Sequence, residues 1–203
     1  MSFQPISKEN PLVLASNSPR RRSLLQQVGL PFRSVPSHAE EDQVLGEPPL
    51  RAVLLAEEKA KAVYPKSKGG WILGADTMVV MGERVFGKPR APEDVHFMLS
   101  RLSGKEHEVI TGFCLLDPSG EKAHSEAITT LVKMKRLSEK EISAYMATGE
   151  PFGKAGSYAI QGVGAFMVES ISGSYTNVVG LPVCALIKSL LAAGALKSFP
   201  ILP

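Results

Sequence analysis

The chain has 203 residues, 44% hydrophobic and 21% charged, enough for one globular domain with a sizeable core, in one lobe or two. Its net charge is only +3, with basic and acidic residues interleaved and 6% aromatics, which argues for a local anion site and against a nucleic-acid surface. No apolar run approaches the roughly 18 residues of a membrane span, and the first ten residues lack the pattern of a signal peptide, so a cytoplasmic protein is expected.

Leu12, Val13, Leu14 and Ala15 form a short apolar run that reads as a buried strand. Ser18 followed by Pro19 predicts a helix start, with an N-cap side chain and a proline at the first helical position. Arg20, Arg21 and Arg22 then fill the first turn. The helix dipole disfavours cations there by roughly 0.3–1 kcal/mol each. Three such violations in a row, directly after a strand, suggest a phosphate- or carboxylate-binding site at the strand's carboxyl end.

Gly29 is a helix stop, and residues 32–35 read as a short strand. Residues 38–49 are polar and acidic, with Glu40, Glu41 and Asp42, and read as a loop. Residues 50–63 predict a helix: Val53, Ala56, Ala60 and Val63 share a face, and Glu57 precedes Lys61 by four. Trp71, Ile72 and Leu73 begin a second buried strand. It leads into Gly74 and Ala75, which leave space for a ligand around Asp76, expected at the strand's end, and then into Thr77. A hairpin is expected from residues 78–81 and 84–86 around Gly82-Glu83. Residues 92–102 predict a helix, and residues 108–116 and 127–134 predict strands joined through a turn at 117–120. Ser138 and Glu141 form a capping box opening a helix to Met146. Residues 149–164 are glycine-rich, 166–171 read as a strand, and 182–196 as a final apolar helix. Together these imply an α/β fold with a mixed sheet.

A carboxylate facing a phosphate site is repelled unless a divalent cation bridges the two, which gives Asp76 a role as metal ligand, with one of Glu40, Glu41 and Asp42 as a second contact. Asp76 could equally cap a turn. Lys59 reads either as an exposed helix lysine or as a phosphate contact. Lys88, in Phe86-Gly87-Lys88-Pro89, suits a phosphate tail. Gln161 offers both a donor and an acceptor to a nucleobase. Gly162-Val163-Gly164 lacks the third glycine of a dinucleotide fingerprint and precedes a strand. His38, His96, His107 and His124 lack metal-ligand spacing and read mostly as surface residues. Cys114 and Cys184 read as buried free thiols of a reduced compartment.

These pieces resemble the Maf-like nucleotide pyrophosphatases over nearly the full length. The matching motifs are Ala15-Ser16-Asn17-Ser18-Pro19-Arg20-Arg21, Glu58-Lys59-Ala60, Gly74-Ala75-Asp76-Thr77, Gly87-Lys88-Pro89, the segment from Lys154 to Gly162, and Val179-Gly180-Leu181-Pro182. The resemblance implies a single domain over residues 1–203. Its fold would be a mixed twisted α/β sheet flanked by helices, with two lobes and a nucleotide-binding cleft, similar to inosine triphosphatases. It implies hydrolysis of a nucleoside triphosphate to the monophosphate and pyrophosphate with a divalent metal, Mg²⁺ or Mn²⁺, and a homodimer without nucleic-acid or membrane partners. It assigns active-site roles to Ser16, Arg21, Glu41, Lys59, Asp76 and Lys88. Asp76 would activate water, Glu41 and Asp76 would hold metal or one would hold it while the other orients water, Arg21, Lys59 and Lys88 would hold phosphates, and Ser16 would bond a phosphate oxygen. It ties base choice to Arg20, Thr77 and Gln161, the set of the dTTP/UTP branch. Gly87 stands where that branch often carries glutamate. The rival reading is a non-catalytic nucleotide-binding regulator of septum formation.

Overall fold

A computed structural model describes residues 3–37 and 46–201. The elements in chain order are β1 (Leu12–Leu14), α1 (Pro19–Gln27), β2 (Phe32–Ser34), α2 (Pro48–Val63), β3 (Ile72–Met81), β4 (Arg84–Phe86), α3 (Pro92–Leu102), β5 (Glu106–Leu116), β6 (Lys122–Met134), α4 (Glu139–Ala147), β7 (Val168–Ser172), α5 (Tyr175–Val179) and α6 (Val183–Ala192). The strands form one seven-stranded sheet in the order β2-β1-β3-β5-β6-β7, with β4 paired to β3. β1 runs parallel to β2 and β3, whereas β4 on β3 and β7 on β6 are antiparallel. The mixed α/β architecture expected from the strand and helix signals is therefore the one observed.

The chain divides into two compact units. The first comprises Met1–Asp76, Thr111–Ile128 and Gly180–Pro203, and the second Thr77–Ile110 and Thr129–Val179. The first unit has a cluster of buried side chains: Val13 of β1 and Ala15 just after it, Ala56, Ala60 and Val63 of α2, Ile72 of β3, and Cys114 and Leu116 of β5. The second is centred on Val95, Leu99 and Leu102 of α3, Val132 and Met134 of β6, and Ile142 and Tyr145 of α4. Truncating any one of these leucines to alanine costs about 2–5 kcal/mol.

Two prolines at residues 48 and 49 set the start of α2 two residues before the expected one, because a missing N–H is harmless in a helix's first turn. The small residues of β3 and β5 decide how α2 packs. A Cβ on Gly74 would lie 2.0 Å from the Ala56 carbonyl oxygen, and one on Gly112 would lie 2.3 Å from the Ala52 carbonyl carbon. Both glycines let the α2 backbone approach the sheet closely. The room beside Gly74 is thus filled by α2, a correction to the expectation that it is kept for a ligand.

Several boundaries and exposures differ from the sequence reading. β3 is one strand of ten residues, so Asp76 lies within it rather than at its end. β6 begins at Lys122 rather than 127, through a half-buried to exposed stretch with no apolar alternation. β7 starts at Val168, because residues 162–167 form a 3₁₀ helix instead. α6 is shorter than expected, and the five-residue α5 has no periodic signal to announce it. Cys184 is exposed, while Cys114 is buried as expected. His107 is buried too, its Nε2 2.7 Å from the Tyr158 hydroxyl.

Candidate active site

In the first unit, the polar side chains nearly withdrawn from solvent include Ser16 at 6% exposure, Lys59 at 8%, Arg21 at 9% and Asp76 at 9%. Such burial of charge is costly unless every group is partnered, and here the partners are visible.

Ser16 follows β1, where the chain leaves the ladder and turns into α1. Its Oγ accepts from Ser18 N at 3.1 Å and from Arg21 Nη1 at 3.2 Å. Ser18 is the N-cap of α1, with its side chain accepting from Arg21 N at 3.4 Å, and Pro19 stands in the first turn, as the sequence suggested. Arg21 is drawn inward. Its Nε donates to the Gly180 carbonyl at 2.8 Å, which ties the helix start to the Val179-Gly180-Leu181-Pro182 motif. The three arginines are thereby sorted by depth: Arg21 buried, Arg20 half-buried and Arg22 exposed.

β1 and β3 pair in parallel as Val13 with Ile72 and Leu14 with Leu73, and Ala15 N donates to Leu73 O at 2.8 Å. Extending that register sets Ser16 level with Ala75, so Ser16 and Asp76 emerge past the end of the same ladder. Open α/β sheets bind ligands at the carboxyl ends of their strands. Asp76 is mid-strand by backbone geometry, but β1 has already ended beside it.

Lys59 comes from α2. Its Nζ donates to Asp76 Oδ1 at 2.6 Å. The close approach of α2 at Gly74 fixes this pair, because Ala56 and Ala60 flank Lys59 in the helix. The view of Lys59 as an exposed helix lysine is excluded by its burial. Nearby on the same helix, Glu57 accepts from Lys61 at 2.7 Å, the expected i,i+4 pair, and from Lys122 at 2.8 Å. Those bonds, Lys122 first, hold the Glu57 carboxyl below its usual pKa range.

The remaining candidates lie in the second unit. Thr77 is half-buried in β3, and Lys88 is exposed in the loop after β4. Gly87 O accepts from Gly156 N at 3.1 Å, which brings the Lys88 loop to the 3₁₀ turn Ala155–Ser157. Gln161 is half-buried and is the N-cap of the 3₁₀ helix Gly162–Met167. The buried pair beneath this segment is His107 and Tyr158. Burial pushes the His107 pKa down to about 4 and the Tyr158 hydroxyl upward. Glu40, Glu41 and Asp42 lie outside the described residues. Among the described residues there is no cluster of three or more metal-ligating side chains. No helix among them is long and apolar enough to cross a membrane.

The family model described as Maf-like protein matches residues 11–193. A dTTP/UTP pyrophosphatase of Syntrophotalea carbinolica is 48% identical over 198 residues, 96% of this chain and 90% of that protein. One of Ruminiclostridium cellulolyticum is 51% identical over 173 residues, 84% of this chain and 90% of that protein. Among solved structures, the Staphylococcus aureus Ham1 protein covers 61% of this chain and 71% of its own, with a TM-score of 0.42 and 16% identity.

Proposed function

The chain belongs to the family of Maf-like proteins, and we propose that it hydrolyses dTTP and UTP to the monophosphate and pyrophosphate. The observation that carries this reading is the 48% identity, over 96% of the chain, to a relative named for that activity. The buried polar group of the first unit supports a catalytic over a merely binding role, since a sensor needs no carboxylate ion-paired beside a phosphate site.

Each residue's part follows from its donors. Ser16 Oγ already accepts two hydrogen bonds, so its O–H is the donor it offers a phosphate oxygen. Lys59 has three N–H donors, one of them on Asp76, and it holds the carboxylate in place while reaching phosphate. Arg21 and Lys88 complete the phosphate contacts, where fixed cations stabilise charge developing in phosphoryl transfer. Asp76 accepts the proton of the attacking water at its carboxylate. By resemblance, Arg20, Thr77 and Gln161 are the residues tied to base choice: uracil and thymine present acceptor, donor, acceptor, and a glutamine amide offers both a donor and an acceptor to such an edge.

A divalent cation fits this set. Magnesium is commonly held by one or two carboxylates together with substrate phosphates and water. Asp76, held by Lys59, and Glu41, assigned by resemblance, are the residues that would hold the cation, or one would hold it while the other orients water. Bound there, Mg²⁺ or Mn²⁺ would neutralise phosphate charge. The reading includes a homodimer in the cytoplasm acting on the nucleotide pool.

The test is pyrophosphate release by the purified protein with Mg²⁺ or Mn²⁺ across a panel of nucleoside triphosphates. Preference for dTTP and UTP is expected. No turnover of any triphosphate sinks the enzyme reading, and preference for a purine nucleotide sinks the base assignment.

A further inference from the structure

The segment that carries Gln161 continues into the 3₁₀ helix Gly162–Met167. The first N–H groups of a helix lack intrahelical acceptors, and the N-cap side chain ordinarily supplies one. Gln161 occupies the N-cap but makes no capping hydrogen bond. The acceptors come from Glu150 instead. Its Oε2 accepts from Val163 N at 3.0 Å and its Oε1 from Gly164 N at 2.9 Å.

Glu150 is itself anchored. Oε1 also accepts from the Tyr145 hydroxyl at 2.8 Å, and Tyr145 is buried in the core of the second unit. Glu150 N donates to Thr148 Oγ1 at 3.1 Å, and its carbonyl accepts from Lys154 Nζ. Burial pushes the Glu150 pKa up, but the bonds from Gly164, Tyr145 and Val163 outweigh this and hold the carboxyl below its usual range. Gly162 makes room for the contact: its φ is +75°, and a Cβ there would lie 2.4 Å from Glu150 Oε2. The two glycines around Val163, which do not form a dinucleotide fingerprint, serve this carboxylate.

We infer that Glu150 is a positioning residue for base recognition: by capping the 3₁₀ helix in place of Gln161, it leaves the Gln161 amide to the nucleobase and fixes the backbone that presents it. This rests on the reading of Gln161 as a base contact. Both oxygens of the carboxylate are engaged by protein donors, Val163 N, Gly164 N and the Tyr145 hydroxyl, so its part is to hold the segment. Its loss therefore alters which base is accepted more than how fast a correct substrate is cleaved.

Glu150→Gln tests it. The amide keeps one acceptor oxygen but turns an NH₂ group toward a backbone N–H. The kcat/KM ratio for dTTP over dCTP is expected to fall about tenfold, with kcat on dTTP within about threefold of wild type. Hydrogen exchange at the Val163 and Gly164 amides is expected to accelerate in the same protein. Tyr145→Phe, which keeps the carboxylate and removes one anchor, should shift the ratio the same way by less, and it serves if Glu150→Gln does not fold. An unchanged ratio with unchanged exchange overturns the inference. So does an equal loss on every nucleotide accompanied by a lower melting temperature, the mark of a purely structural residue. A wild-type enzyme that does not prefer dTTP over dCTP overturns the functional reading itself, whereas a wild-type preference that survives in Glu150→Gln overturns only this inference.

Discussion

Gly74→Ala is the substitution that most directly perturbs the frame of the site. The added Cβ would lie 2.0 Å from Ala56 O, 2.9 Å from Ala60 N and 3.0 Å from Ala56 C. These are backbone atoms of α2, so no side-chain rotamer can relieve the clash. The helix must retreat by about 1.4 Å to restore ordinary contact. Overpacking of a tight core costs about 1–3 kcal/mol, and a clash with helix backbone belongs at the upper end. At roughly 2–4 °C per kcal/mol for a chain of this size, about 3 kcal/mol lowers the melting temperature by about 6–12 °C. Because Lys59 rides on that helix, the same retreat stretches its 2.6 Å contact with Asp76. A misplacement near 1 Å is worth roughly a hundredfold in rate. Thermal unfolding followed by circular dichroism, with pyrophosphate release on the same preparation, checks both numbers. A variant that melts within about 1 °C of wild type and turns over normally would refute the close-packing argument.

Other consequences follow from the buried groups. His107 has a folded pKa of about 4 against 6.5 unperturbed, so the unfolded chain binds the proton more readily between those values. Stability is therefore fully present above pH 6.5 and is lost as pH falls toward 4, by about 3 kcal/mol in total. Denaturant unfolding from pH 7 to 4 should show this slope, His107→Gln should flatten it, and an unaltered slope in that variant would refute the assignment. For the cysteines, a chromogenic disulfide reagent should label Cys184 rapidly in the folded protein. It should label Cys114, buried and with its thiol pushed up to about 12, only after denaturation. Rapid labelling of Cys114 in the native state would contradict its burial.

Much of this arrangement was legible from residue patterns, and the parts that were not share a cause. α2 showed itself through Ala56, Ala60 and Val63, α4 through the capping box of Ser138 and Glu141, and the β3–β4 hairpin through Gly82-Glu83. Each of these signals is local. Gly74-Ala75 reads as room for a ligand around Asp76 at a strand's end, whereas Asp76 lies within β3 and Gly74 admits a helix from elsewhere in the chain. The same holds for Lys59, whose charge looks solvent-facing until the carboxylate of β3 is beside it. Glu150 gives no local signal for the same reason, since its partners Val163 and Gly164 meet it only through the turn between them. The arginine run was informative because it broke a local rule, and its sorting into buried Arg21, half-buried Arg20 and exposed Arg22 depends on Ser16 and Gly180.

The central claim is that Asp76, held by Lys59, activates water for cleavage of dTTP and UTP. The measurement that bears on it most directly is pyrophosphate release from dTTP by Asp76→Asn, paired with calorimetric titration of dTTP into the same protein. The asparagine keeps an oxygen for Lys59 but is a poor proton acceptor. Hydrolysis should fall by about a thousandfold or more while dTTP still binds. Turnover at the wild-type rate in that variant would remove Asp76 from the mechanism.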